Sequence, residues 1–288
     1  MMLGLLQFLR DKRIYVPLDA VTPIRGWFES KPDENWVVKY ATVSKAGECS
    51  ACAAHLEPIN ISGKDFEKMR TTFMERVVKG EDTFLNSTPE EVGLFKRFVE
   101  TTAPYDVVVD GLNVGYQQAG RHATHTDQAK MLYQVTEYLA KTRGKKVLVL
   151  GRRHMNGWPK KYMAPIQQMA HCFLAENLSK DDPFLLYAAM YSGLGTVFLS
   201  KDMMRDHLFK LGEEFDTFFR KWQWSHQLQL LHIKPGGAVR LKAPMKFDTL
   251  VQRKGDAWHI PYESGVPRYS YEVPDTWLCA TKRASDAG

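Results

Sequence analysis

Residues 105–114 read YDVVVDGLNV, and this stretch decides the fold. Its apolar run, YDVVV, is short and uninterrupted, and it stops at Asp110. A strand that is buried on both faces of a parallel sheet has such a continuous run, whereas a half-buried strand alternates apolar and polar residues. We therefore predict a buried strand over residues 105–109, with Asp110 at its carboxyl end.

The segments after this strand alternate between helical patterns and further apolar runs. Helical patterns cover residues 126–142, 160–170 and 183–190, and a helical stretch follows Asp202. Apolar runs occur as KVLVL at residues 146–150 and as TVFL at residues 196–199. This alternation implies βαβ units, and hence a parallel α/β sheet flanked by helices.

The parts of the chain on either side of these segments do not show the alternation of apolar runs and helical patterns. Residues 1–30, 64–79 and 89–99 have helical patterns, and residues 36–43 have the pattern of a strand. Residues 258–279 are rich in aromatics and prolines, so we expect them to be irregular or short-stranded, without a large core of their own.

Composition narrows the class of protein. The chain has 288 residues, 44% of them apolar, and a formal net charge of +6. No stretch approaches the ~18 consecutive apolar residues that span a bilayer. The opening MMLGLLQFLR lacks a cleavage site, so it is not predicted to be a signal peptide. The positive charge favours a polyanionic partner but does not prove one.

Four aspartates are expected to meet at one edge of the sheet. Asp110 ends one apolar strand, and Asp202 follows the strand TVFL by three residues. Asp181 and Asp182 precede a proline at the start of a helix, which in an α/β unit begins at that same edge. Ligands of open parallel sheets bind beyond the carboxyl ends of the strands. Carboxylates so close together stay ionised only beside a cation, and oxygen ligands suit Mg²⁺ or Mn²⁺ better than zinc.

Such a metal site suits phosphodiester hydrolysis, because the metal lowers the pKa of a bound water and stabilises developing charge. Each aspartate taken singly also has a structural interpretation: Asp182 and Asp202 fit helix caps, and Asp110 fits a turn. Their shared position at one edge favours the catalytic interpretation. The secondary candidates are Asn113, Asp206 and His207.

The chain has four cysteines, and Cys49 and Cys52 form a C-x-x-C pair. So few cysteines do not make a secreted disulfide scaffold. The pair could be half of a zinc site, which needs two more ligands. The residues alone leave the choice open among Cys279, His259, His55, Cys172 and other histidines. A pair of free thiols and a redox pair are the alternative interpretations.

Five ordered segments of this sequence resemble the protein-only ribonuclease P family. They are YDVVVDGLNV (105–114), VLVLGRRHM (147–155), DDPFLLYA (181–188), KDMMRDH (201–207) and WHIPY (258–262). The likeness extends over residues 27–279 and is greatest to the animal mitochondrial members. Five motifs in order over nearly the whole chain make the resemblance highly specific.

The resemblance implies an α/β fold with a PIN/NYN-like parallel sheet flanked by helices. It also implies a small zinc-tied central domain built from N- and C-terminal segments. Residues 101–239 would form the NYN metallonuclease domain, and residues 31–100 with 240–288 would form the central domain with its adjoining helices. The implied ligands of catalytic Mg²⁺ or Mn²⁺ are Asp110, Asp181, Asp182 and Asp202. The implied ligands of structural Zn²⁺ are Cys49, Cys52, His259 and Cys279.

The function that the resemblance implies is removal of the 5′ leader of precursor tRNA by metal-activated water. The expected setting is the mitochondrial matrix, and the expected partners are precursor tRNA, a tRNA methyltransferase and a short-chain dehydrogenase, with no membrane. Family members carry an N-terminal pentatricopeptide-repeat array. Residues 1–30 are interpreted as its remnant, and a targeting segment is not expected in this chain.

Two other functions remain compatible with the sequence. In a non-catalytic RNA-binding scaffold, the aspartates would only cap helices. A PIN-like ribonuclease of broader specificity would cleave unrelated single-stranded RNA as well as tRNA precursors.

Overall fold

The computed structural model of the chain describes residues 2–76, 87–117, 123–176, 182–202, 204, 213–266 and 273–282. The chain divides into two compact units. The first comprises Met1–Asn60 with Met245–Gly288, and the second comprises Ile61–Pro244.

Helices and strands make up most of the described chain. The α-helices, in chain order, are α1 (Met2–Lys12), α2 (Leu18–Glu29), α3 (Gly63–Arg76), α4 (Pro89–Thr102), α5 (Gly111–Tyr116), α6 (His125–Glu137), α7 (Lys160–Met169), α8 (Asp182–Ser192) and α9 (Glu213–His226). The strands are β1 (Trp36–Ala41), β2 (Val107–Asp110), β3 (Val147–Arg152), β4 (His171–Ala175), β5 (Val197–Leu199), β6 (Gln227–Ile233), β7 (Val239–Lys242), β8 (Gln252–Lys254), β9 (Ala257–Tyr262) and β10 (Thr276–Lys282). Short 3₁₀-helices cover Pro32–Glu34 and Arg153–Gly157, and a π-helix covers Tyr138–Thr142.

The second unit contains the expected parallel sheet. Its strand order is β4-β3-β2-β5-β6-β7, with β2 near the centre. The pairs β4–β3, β3–β2, β2–β5 and β5–β6 are parallel, and β7 adds an antiparallel edge. The strand predicted over residues 105–109 is therefore present, although the ladder begins at Val107 and includes Asp110. The predicted helix over 126–142 is also present, and its last five residues are π-helical.

Apolar side chains cover both faces of this sheet. Val108 lies in one core cluster, with residues of α3, α4, α8 and α9. Val107 and Val109 lie in the other cluster, with residues of α5, α6 and α7. Successive side chains of a strand point to opposite faces, so both faces must be buried for a run such as VVV to be stable. The packing explains why this strand shows no alternation of apolar and polar residues.

Residues 61–100 lie in a different unit from the one expected. The prediction grouped them with the zinc-tied segments, but contacts place them in the second unit. The reason is hydrophobic burial: Phe66, Phe73 and Phe95 pack in the same cluster as Val108. These helices thus cover a face of the parallel sheet.

The first unit is built on an antiparallel sheet of order β1-β10-β9-β8. One face of the sheet packs against α1 and α2, with Leu6, Ile24 and Phe28 against Ile260 and Leu278. The opposite face carries a smaller cluster that includes Phe247, Trp277 and Cys279. The helical expectation for residues 1–30 is confirmed by α1 and α2.

Of the two alternatives expected for residues 258–279, irregular structure and short strands, the structure shows regular strands at β9 and β10. These strands have six and seven residues and pair along their length. Pro261 obscured the pattern because a proline lacks the N–H of a strand ladder. It is tolerated because the ladder between β8 and β9 ends at His259, so β9 has no β8 partner at Pro261. Among the described residues, no helix is both long enough and apolar enough to cross a membrane.

Phe95 tests the packing of α4 on the second unit. Its ring is 1% exposed and contacts Phe173, Phe184 and Tyr187 edge to face. Phe95→Ala should lower the free energy of unfolding by about 3–5 kcal/mol, since it removes apolar burial and leaves a cavity. The neighbouring Leu94 is 56% exposed, so Leu94→Ala should change stability by no more than about 0.5 kcal/mol. Denaturant titration measures both, and equal losses would contradict this packing.

Candidate active site and metal centre

The strand order of the second unit reverses direction beside β2. From β2 the chain continues to β3 and β4 on one side, and then returns to β5 on the other side of β2. Ligands of open α/β sheets bind at such a reversal, outside the carboxyl ends of the two strands. Asp110 is the last residue of β2, and Ser200 directly follows β5. The sequence therefore places polar residues where this fold has its binding crevice.

Asp110 is buried, with 8% of its surface exposed, and its two carboxylate oxygens have different partners. Oδ1 accepts a hydrogen bond from the Asn113 backbone N–H at 2.9 Å, so Asp110 is the N-cap of α5. Oδ2 accepts from the Ser200 hydroxyl at 3.0 Å. The sequence alone suggested a turn as the structural role of Asp110; the structure shows a helix N-cap instead, and a cap does not require the second contact.

Ser200 links the first aspartate to the last one. Its hydroxyl donates to Asp110 and accepts from the backbone N–H of Asp202 at 3.1 Å. Asp202 is exposed, and its Oδ1 accepts from the Met204 N–H at 2.7 Å. The buried Ser200 hydroxyl therefore links Asp110 to the Asp202 backbone at one edge of the sheet.

Asn113, a secondary candidate, also lies at this edge. Its Oδ1 accepts a hydrogen bond from the Lys201 backbone N–H at 3.0 Å. The contact ties the segment after β5 to α5, which begins directly after Asp110. In this arrangement the Asn113 side chain positions the backbone of Lys201.

The other predicted site residues of this unit are only partly covered by the described structure. Asp182 is the first residue of α8, and its side chain lies outside the described part. Asp181, Asp206 and His207 lie outside the described residues altogether.

The first unit contains a compact group of three cysteines and one histidine. The ligand atoms of Cys49, Cys52, His259 and Cys279 all lie within 4.8 Å of one another. His259 and Cys279 are direct cross-strand partners on β9 and β10, so their side chains share one face of the sheet. Cys49 and Cys52 lie on the turn after β1, where the Cys49 N–H donates to the Ala54 carbonyl at 2.9 Å. His259 Nε2 is 3.3 Å from the Cys52 Sγ.

Burial disfavours the charged thiolate form of these cysteines unless a cation is present to neutralise it. Desolvation raises the pKa of the Cys52 and Cys279 thiols, and the neighbouring cysteines raise that of Cys279 further. Desolvation lowers the pKa of His259, and the charge of Lys254 adds to this effect. A tetrahedral zinc ion with Zn–S bonds of about 2.3 Å places sulfur ligands about 3.8 Å apart, so the spacing fits such an ion. The donor set, three sulfurs and one imidazole, also fits it.

The two alternative ligands lie elsewhere. His55 is exposed and does not belong to the group, and Cys172 lies on β4 in the second unit. Burial raises the pKa of the Cys172 thiol to about 12, so this cysteine stays protonated near neutral pH. All four cysteines are free thiols rather than disulfides.

Sequence reasoning missed Ser200, Gln223 and Gln227, which contact the Asp202 segment. Ser200 could have been found, because it directly follows the apolar run TVFL and is a polar residue at the edge where the aspartates were expected. The glutamines carried no comparable signal, since only the folded chain brings the end of α9 to the end of β5.

Comparisons with known proteins agree with this architecture. A family model described as Protein-only RNase P matches residues 43–279. The mitochondrial ribonuclease P catalytic subunit of the mouse, Mus musculus, is 38% identical over 292 aligned residues, which cover 99% of this chain and 49% of that protein. Proteinaceous RNase P 3 of Arabidopsis thaliana is 28% identical, with 90% of this chain and 45% of that protein covered. A crystal structure of nuclear proteinaceous RNase P 2 from A. thaliana matches with a TM-score of 0.61 at 21% identity, covering 97% of this chain and 63% of that one.

The fold and the site define an α/β protein with carboxylates at the reversal point of a parallel sheet and a separate Cys/His group. The chain belongs to the protein-only RNase P family. It spans about half the length of the curated relatives that it matches.

Gly111 tests how Asp110 is positioned. A Cβ on Gly111 would lie 2.6 Å from the backbone oxygen of Leu150, which belongs to β3 and cannot move without disturbing the sheet. Gly111→Ala should therefore cost about 1–3 kcal/mol of stability through overpacking. Gly195→Ala is the control, because nothing lies within 4 Å of its added Cβ. Thermal unfolding compares the two variants, and equal melting temperatures would contradict the close approach of α5 to β3.

Proposed function

We propose that this chain carries the nuclease centre of a protein-only ribonuclease P, whose whole protein removes the 5′ leader of precursor tRNA. Family membership and the similarity to the mouse subunit support this activity. The observation that carries the proposal is the link from Asp110 through Ser200 to Asp202 at the crevice of the parallel sheet. We also propose that the second unit is a metallonuclease domain of the PIN/NYN type.

In this proposal Mg²⁺ or Mn²⁺ is held by Asp110, Asp181, Asp182 and Asp202. When bound, the metal supplies a water of lowered pKa and positive charge for the phosphate oxygens. The protein's own contribution is positioning. The Ser200 hydroxyl orients one oxygen of Asp110, and the Met204 N–H orients one oxygen of Asp202. A carboxylate held in this way needs little rearrangement when a metal or substrate arrives.

We propose a second, structural metal in the first unit, a Zn²⁺ ion held by Cys49, Cys52, His259 and Cys279. Metal binding by these residues would connect the turn after β1 to β9 and β10. It would thereby join the N-terminal and C-terminal segments into one zinc-tied central domain. The close spacing of the four ligand atoms and their burial support this role. Because the unfolded chain does not hold these four ligands together, part of the metal's binding energy would become folding energy.

The proposed substrate is precursor tRNA, and the proposed compartment is the mitochondrial matrix, following the mitochondrial names of the rodent relatives. The net charge of +6 suits a polyanionic substrate. A tRNA methyltransferase and a short-chain dehydrogenase remain the proposed protein partners. The interpretation of residues 1–30 as part of a helical repeat region also remains a prediction.

Substitution of Asp110 tests the nuclease centre. Asp110→Asn should reduce cleavage of precursor tRNA by about 100-fold or more, because it removes a charged metal ligand. Asp106→Asn is the matched control, since Asp106 precedes the same strand at its other end and is half-exposed. Cleavage should be measured with and without Mg²⁺, for the chain alone and together with the two proposed partner subunits.

An unstructured RNA distinguishes the competing functions in the same assay. Equal cleavage of this RNA and precursor tRNA would favour the broader PIN-like ribonuclease. Binding of tRNA without any metal-dependent cleavage under any condition would favour the non-catalytic scaffold. Full activity of Asp110→Asn would show that the site is assigned to the wrong residues.

Elemental analysis tests the proposed zinc. Purified chain should contain about one zinc ion, and Cys52→Ser should lose it and melt at a lower temperature, since the ligand set would be incomplete. Cys172→Ser is the control with the same substitution outside the group, and it should keep its zinc. A wild-type chain without stoichiometric metal, or a Cys52→Ser variant with unchanged zinc, would rule the proposal out.

A further inference from the structure

The segment that carries Asp202 leaves the sheet before that residue. Pairing between β2 and β5 ends with Val109 opposite Leu199, so Ser200 and Asp202 lie beyond this ladder. The Ser200 N–H still donates to the Leu228 carbonyl at 3.2 Å. The carbonyl groups of Ser200 and Asp202 need other partners, and side chains at the start of β6 supply them.

One amide group contacts both carbonyls. Gln227 Nε2 donates to the Ser200 carbonyl oxygen at 2.8 Å and to the Asp202 carbonyl oxygen at 2.8 Å. A primary amide nitrogen carries two hydrogens, so both bonds can be made at the same time. Gln227 therefore fixes the backbone carbonyl groups at both ends of the segment 200–202, which carries the buried Ser200 hydroxyl and Asp202.

Gln223 determines which end of that amide faces the segment. Its Nε2 donates to Gln227 Oε1 at 3.1 Å and lies 3.5 Å from the Asp202 carbonyl oxygen. Because Gln227 Oε1 accepts from Gln223, the nitrogen of Gln227 is left to face the two carbonyls. Gln223 is 4% exposed, and burial of an amide is costly unless the amide is hydrogen-bonded. The burial of Gln223 is thus explained by its hydrogen bonds.

We infer that Gln227 is a positioning residue of the proposed nuclease centre, held in orientation by Gln223, and that it sets where Asp202 presents its carboxylate for a divalent cation. The inference rests on the proposed function, since it assumes that Asp110 and Asp202 share a metal. Outer partners of metal ligands affect metal affinity by about 10–100-fold.

Two substitutions of Gln227 separate its donor group from its volume. Gln227→Met keeps a similar volume without an amide, and Gln227→Glu keeps the shape but replaces the donor nitrogen by an oxygen and adds a negative charge. Gln229→Met is the matched control, because Gln229 lies two residues further along β6. The probe is Mn²⁺ itself, titrated into the purified chain and followed by electron paramagnetic resonance. Hydrogen exchange of residues 197–202 and thermal unfolding are measured on the same samples.

Gln227→Met should bind Mn²⁺ about ten-fold more weakly than the wild type, and both Gln227 variants should show faster exchange at residues 200–202, because neither donates to the two carbonyl groups. Gln229→Met should match the wild type in both measurements. A melting temperature that is unchanged in Gln227→Met, together with weaker Mn²⁺ binding, would separate positioning from a general structural role.

Two results would overturn the inference in distinguishable ways. If Asp110→Asn loses Mn²⁺ but both Gln227 variants bind it as the wild type does, the metal site stands and the role of Gln227 is wrong. If the wild type and Asp110→Asn bind Mn²⁺ equally or not at all, the proposed metal site itself is wrong, and the inference fails with it.

Discussion

Hydrogen bonding of β2 along both of its edges is the constraint on which the candidate active site depends. Val109 pairs with Val149 on one side and with Leu199 on the other. These two ladders fix the carboxyl end of β2 relative to both neighbouring strands. Helices bury both faces of the strand, so a shift by one residue would move Asp106 or Asp110 to a position that a buried valine now occupies. The position of Asp110 is fixed in the same way, because Asp110 is the last residue of the ladder between β2 and β3.

The Cys/His group is assembled by a different rule. In the parallel sheet, polar groups meet because strand ends lie side by side at one edge. In the antiparallel sheet, His259 and Cys279 meet because they are opposite each other in register and point to the same face. Trp258 and Leu278, one residue before each, point to the face that packs against α1 and α2. A shift of one residue in either strand would move a ligand into that apolar core.

The sequence predicted the parts of the fold that depend on local pattern. Continuous apolar runs identified β2, β3 and β5, and the same pattern placed Asp110 at a strand end. The antiparallel pairing of β9 and β10 was missed because Pro261 and the aromatic residues hide a regular pattern. The grouping of residues 61–100 differed because a helical pattern shows that a face is apolar but not which sheet it covers. The amides of Gln223 and Gln227 could not be found either, since their role depends on contacts between segments about 25 residues apart.

The topology of the first unit has a consequence for the order in which the chain folds. Its sheet has the order β1-β10-β9-β8, so β10, the last of the described strands in the chain, lies between β1 and β9. The second unit is one continuous segment, Ile61–Pro244, and all its strands are synthesised before β8. Because domains tend to fold as units during synthesis, the parallel sheet can form on the ribosome while β1 still lacks its partner. Until His259 and Cys279 have left the exit tunnel, Cys49 and Cys52 lack the other two members of the Cys/His group.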